Sequence, residues 1–151
     1  MTGPSLQVIQ RKLHLLCLSD YSAESFTSGL VAVTDTRGRW QAAVDTLYRL
    51  AVCQLIWSPS LPDGQGEGEY ILSYIEELSR IDPFPSNDLS DAWLGLDVLA
   101  TKVARDWIEK FEVIENLGTF SPGLDEVLRE RFCEFGVPFE VYPVSRVKLF
   151  D

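Results

Sequence analysis

Apolar residues recur three and four positions apart through most of this chain, in stretches separated by Pro- and Gly-rich breaks. That spacing commits it to amphipathic helices around a shared core. Leu6, Ile9, Leu13 and Leu16 mark a first helix over 5–18, with Gln7, Gln10, Arg11 and Lys12 between them. Ser22 is placed to cap a following turn whose stripe is Phe26, Leu30 and Val33, a helix that Gly29 weakens. Arg37 to Trp57 reads as a third helix: Trp40, Val44, Leu47 and Ala51 share a face that Tyr48, Leu55 and Ile56 broaden. It ends at SPSLPDGQGEG, where two prolines and three glycines mark a loop.

Glu69 to Ile81 gives the next helix, with Ile71, Ile75 and Leu78 on one face and Asp82-Pro83 at its end. Leu89 to Leu117 is the longest periodic run, carried by Trp93, Leu96, Ala100, Val103, Trp107 and Ile114; Gly95 is placed to bend it and Gly118 to stop it. Ser121-Pro122 is a cap followed by proline at the first helical position. Leu124, Leu128, Phe132 and Phe135 then define a last helix closed by Gly136 and Pro138. The tail FEVYPVSRVKLFD is rich in Val, Phe and Tyr and reads as one or two short strands. Together these predict a mainly α fold, a five- or six-helix bundle with a short C-terminal β element, in a single domain over residues 1–151.

Charge is distributed unevenly. The chain has 13 Lys plus Arg against 23 Asp plus Glu, a net of −10. Residues 1–57 carry +1 and residues 100–151 carry −3. Residues 58–99 carry −8, because Arg80 alone stands against Asp63, Glu67, Glu69, Glu76, Glu77, Asp82, Asp88, Asp91 and Asp97. Such a balance disfavours direct nucleic-acid binding, which needs cations to displace phosphate counterions, and it is repelled by anionic membranes. A basic partner would be attracted. Trp57, Tyr70, Tyr74, Phe84 and Trp93 are interleaved with the acids, and aromatic anchors inside a charged rim are the usual composition of a tight interface. Trp93 is better placed as a core residue.

Other chemistries fail on counting. His14 is the only histidine, and with Cys17 three residues on it supplies two of the roughly four ligands a zinc site needs. Cys17, Cys53 and Cys133 are odd in number, far apart and in apolar helical contexts, so they read as small hydrophobes in a reducing compartment. A calcium loop starting at Asp63 would have Gln65 and Glu67 as donors, but its twelfth position is Tyr74 where a bidentate Glu is required. Glu109, Glu112 and Glu115 read as a solvated helix face with Arg105 and Lys110 as partners, since di-metal bundles need Glu-x-x-His pairs. No cofactor or metal is expected. The densest apolar stretch, Leu50 to Trp57, is too short to span a bilayer, and Arg11 and Lys12 interrupt any signal-peptide core, so a cytoplasmic home is expected.

The segment LSDYSAESF, Leu18 to Phe26, resembles the helix-entry pattern of small bacterial immunity proteins of the colicin type. The resemblance implies an acidic, mostly helical, cytoplasmic inhibitor of a nuclease toxin, and it transfers no functional residue. Charge and resemblance together predict a non-enzymatic inhibitor that occludes a basic nuclease-type toxin domain. Its candidate partner-binding residues are Asp63, Glu67, Glu69, Tyr70, Glu76, Asp82, Phe84, Asp88 and Asp91. A phage-type nucleic-acid mimic blocking a defence nuclease would have the same electrostatics. From another class, a small hydrolase using carboxylates alone is the alternative. The Val- and Phe-rich tail is also suited to adding a strand to another protein.

Overall fold

The computed structural model describes residues 6–28, 30, 36–62, 64–84, 91–113, 121–139 and 143–144. Its elements run α1 (Leu6–Leu18), β1 (Tyr21–Ser22), a 3₁₀ turn (Ala23–Thr27), α2 (Thr36–Val52), β2 (Ile56–Trp57), α3 (Gly68–Leu78), α4 (Asp91–Gly95), β3 (Asp97–Ala100), α5 (Lys102–Lys110) and α6 (Pro122–Glu134). The expected helical stripes do the packing: Leu6, Ile9, Leu13 and Leu16 are buried on α1, and Leu124, Leu128 and Phe132 on α6. α2 is covered nearly all round, and packs against α3 and the 3₁₀ turn, while α1 packs against α5 and β3. Trp40, Trp93, Phe26 and Phe132 are the largest side chains fully enclosed.

The sheet is small and antiparallel, with β3 in the middle. Tyr21 and Ser22 pair with Val98 and Asp97, and Ile56 and Trp57 pair with Ala100 and Leu99. Among the described residues β structure therefore comes from three places read as a turn or as helix. Of that tail only Phe139, Pro143 and Val144 are described, and the expected strands there lie outside the described residues.

The expected helix from Leu89 to Leu117 is two helices with a strand between them. In Asp97–Ala100 burial alternates, with Val98 and Ala100 inward, and Leu96 is buried just before. The side chain of Thr101 then accepts from Ala104 N–H and starts α5 afresh. The stop expected at Gly118 lies outside the described residues.

Arg37 to Trp57 is also interrupted, since α2 ends at Val52. There Gln54 takes φ 61°, its N–H donates to Ala51 O at 3.0 Å, and Leu55 N–H donates to Leu50 O at 2.8 Å. This is a Schellman ending, which satisfies the last carbonyls and turns the chain out of the helix into β2. α5 ends the same way on Glu112, φ 51°, with Val113 N–H on Ile108 O at 3.2 Å. α6 does so on Gly136, φ 75°, with Val137 N–H on Phe132 O at 2.8 Å. Its start matches expectation: Ser121 accepts from Leu124 N–H and Pro122 follows. Ser22 does not cap. It lies in β1, and its carbonyl accepts from Ser25 Oγ at 2.7 Å.

Candidate functional site

On α3 the buried residues Ile71, Ile75 and Leu78 lie at i, i+4 and i+7, so one stripe of the helix is spent on the core. At 100° per residue the opposite side must carry Glu69 and Glu76, seven apart and nearly superposed. Tyr70 and Glu77, also seven apart, lie beside them. All four are exposed, Tyr70 by 59%. Glu77 pairs with Arg80 at 2.6 Å, an exposed contact of little energetic weight. Glu69 and Glu76 meet no cation among the described residues. Glu67 stands exposed at the N-cap position, where its side chain makes no capping bond. Carboxylates at this end are favoured by the helix dipole.

Both ends of α3 are fastened. Before it, Ser58 N–H donates to Gly66 O at 2.8 Å, and a Cβ on Gly66 would collide with Ser58 O. Ser60 Oγ donates to Gly95 O at 2.8 Å and accepts from Asp97 N–H at 3.0 Å, tying the 58–67 loop to the start of β3. At the other end, the Trp40 indole donates to Leu78 O at 2.8 Å and the Trp93 indole to Ile81 O at 2.6 Å. Tyr74 Oη donates to Ala92 O at 2.6 Å. The acidic face is thus presented by a helix whose position is set by directional bonds.

Of the sequence-predicted partner residues, the structure brings Glu67, Glu69, Tyr70 and Glu76 to one helix and its entry, all exposed. It sets Asp82 and Phe84 apart. Asp82 Oδ1 accepts from Phe84 N–H at 2.9 Å, closing the turn after α3. The half-buried Phe84 ring lies 4.6 Å beneath the Arg39 guanidinium, so it is engaged within the fold. Asp63 and Asp88 lie outside the described residues, and for Asp91 only its place at the start of α4 is described. Trp93 is fully buried and Tyr74 half-buried. Sequence reasoning passed over Glu77 as a candidate, although its seven-residue offset from Tyr70 signals it. It also passed over Leu94, 42% exposed on α4, which carries no periodic signature.

The other chemical candidates separate in space. Among the described residues no group of three or more His, Cys, Asp or Glu is placed to hold a metal ion. Cys53 is fully buried, and its carbonyl accepts from Arg131 Nε at 3.0 Å. Burial pushes its thiol up to about 12, against the pull of Arg131 and Arg49. Cys17 is half-buried and likewise raised by burial. Cys133, expected as a small hydrophobe, is exposed, because it falls on the outer side of α6. The expected acid face on α5 is broken as well. Glu109 is helical, Glu112 is the left-handed residue after the helix, and Glu115 lies outside the described residues. The ion pair on α5 is instead Lys102 with Asp106 at 2.9 Å.

A shallow cleft of about 370 Å³ opens where the N-termini of α3 and α5 approach β2. It is lined by Gln54, Ile56, Glu67, Leu72, Thr101 and Val103 among others, with Glu67 as its one carboxylate. No helix among the described residues is long and apolar enough to cross a membrane. No protein-family model, curated protein or solved structure matches the chain.

Proposed function

We propose that this chain is a non-enzymatic inhibitor that acts in the cytoplasm by laying the outer face of α3 into the basic cleft of a nuclease-type toxin domain. The observation that carries the reading is the outward row of Glu69, Glu76 and Glu77 with exposed Tyr70 beside it, on a helix anchored at both ends. Carboxylates held in this way repel one another, and beyond the dipole's favour for Glu69 and the exposed Arg80 pair folding gains little from the arrangement. Lys- and Arg-lined clefts that grip phosphates offer the complementary field. Opposite fields speed encounter, and a desolvated aromatic at the centre slows release. Tyr70 is the anchor in this reading, Glu67, Glu69, Glu76 and Glu77 are the steering charges, and Leu94 is a further apolar contact.

The test is association with a panel of purified basic nuclease domains, at low and high salt, for the wild type and an E69K/E76K/E77K variant. Expected is inhibition of at least one domain by the wild type. Association of the variant should be at least about tenfold slower at low salt, with the difference shrinking as salt screens the charges. Equal association rates and equal inhibition by the two proteins, or no binding to any domain at low salt, would overturn the reading.

A further inference from the structure

The shallow cleft beside β2 opens next to the acidic row of α3. Leu72, on its wall, follows Glu69 by three residues and precedes Glu76 by four, so it flanks both on the helix surface. Ile56 and Val103, the latter 37% exposed, add to the apolar lining. Thr101 fixes the rim. Its N–H donates to Leu55 O at 3.0 Å, and its Oγ1 donates to Gln54 O at 2.7 Å while accepting from Ala104 N–H. The cleft is therefore formed before anything enters it.

Two polar side chains of the lining take no part in these bonds. Glu67 is exposed, makes no capping bond to α3 and meets no cation among the described residues. Lys102, the cation of the lining, is paired with Asp106 on its own helix at 2.9 Å. Gln54 is exposed and left-handed at φ 61°, so a side chain is kept where glycine would be less strained. The positive ends of the two helices are already answered, α3 by Glu69 in its first turn and α5 by the Thr101 cap.

We propose that this cleft takes the side chain of an arginine from the basic partner, its stem against Leu72 and Val103 and its guanidinium on the Glu67 carboxylate and the Gln54 amide oxygen. The inference deepens the reading of α3 as a docking face, and rests on it for the source of the arginine. A guanidinium presents a flat fork of donors that matches a carboxylate and leaves others for an amide oxygen. It is less strongly hydrated than an ammonium, so apolar walls cost it less. A volume of about 370 Å³ is near the lower end of small-ligand clefts, about 300–1,000 Å³, and suits one long side chain.

Amide chemical shifts at low salt test this, with the blocked tripeptide glycyl-arginyl-glycine as probe, titrated to millimolar concentration. The citrulline counterpart, alike in shape but uncharged, is the control. Expected are shifts of the Gln54, Leu72 and Val103 amides with the arginine peptide and none with the citrulline one. E67Q should bind at least about tenfold more weakly, and Q54G about threefold more weakly while no less stable than the wild type. Shifts absent from the cleft, undiminished binding by either variant, or equal binding of the citrulline peptide would overturn the site. No nuclease enters this experiment, so the two readings fail separately. Shifts at the cleft in a protein that blocks no nuclease uphold the site and remove the inhibitor. A nuclease inhibitor whose cleft stays silent loses the site alone.

Discussion

On α3 the carboxylates of Glu69, Glu76 and Glu77 stand in water on the side away from the core, and the packing of Ile71, Ile75 and Leu78 would be the same without them. On the neighbouring α2, Asp45 and Arg49 lie inside, 3% and 4% exposed, and each bonds to chain far away in sequence. The two helices show that a count of charges says nothing about their work. A buried charge is bound by the need for partners, and its removal leaves those partners stranded. A surface charge is free to serve a contact outside the molecule, and its loss costs the fold little.

The largest expected effect contrasts two arginines. Arg49→Ala should lower stability by about 2–4 kcal/mol, since it leaves the Val137 and Pro138 carbonyls without their donor. Arg80→Ala, which breaks only the exposed pair with Glu77, should cost less than about 0.5 kcal/mol. Urea denaturation midpoints of the two variants check this, and equal losses would erase the contrast.

Next comes Asp45→Asn. With its carboxyl raised to about 6 by burial, the folded state binds the Asp45 proton more tightly than the unfolded state does. This contribution to stability is full below pH 3.8 and is lost as pH rises to about 6. The neutral variant should therefore gain about 2–3 kcal/mol at slightly alkaline pH and show a flatter stability profile between those limits. Thermal unfolding across the pH range reads both.

Smaller, and favourable, is Gln54→Gly at the end of α2. It relieves a left-handed non-glycine residue and should add about 1 kcal/mol. Glu112→Gly should do the same for α5, and denaturant titration of each variant gives the sign. Smallest of all is Glu69→Lys with Glu76→Lys, within about 0.5 kcal/mol of the wild type in unfolding experiments. A large loss of stability there would place the acidic face among the supports of the fold.

These same positions explain what could be read in advance. α6 was legible at both ends because Ser121, Pro122 and Gly136 are the residues helix termini favour. α2 and α5 end on the same Schellman geometry, but with Gln54 and Glu112 where glycine is usual, so nothing in composition announced the stop. β3 was hidden for a different reason. Leu96, Ala100 and Val103 satisfy a helical spacing while Leu96, Val98 and Ala100 satisfy a strand's alternation, and pairing with β1 and β2 decides between them. The acidic face of α3 was partly legible, since Glu69 and Glu76 are separated from Ile71 and Ile75 by helical angle alone. Asp82 and Phe84 were not separable from that group, because the turn bond and the Arg39 stack depend on contacts between distant parts of the chain.

The Trp40 indole donates to Leu78 O at the end of α3 and the Trp93 indole to Ile81 O three residues beyond it, and both rings are enclosed. A load applied to the outer side of that helix is therefore delivered to two fluorophores shielded from quenchers in solvent. With the half-buried Trp57 and Trp107 replaced by Phe, their emission wavelength and lifetime offer a label-free signal of engagement, at a site where no dye need be attached.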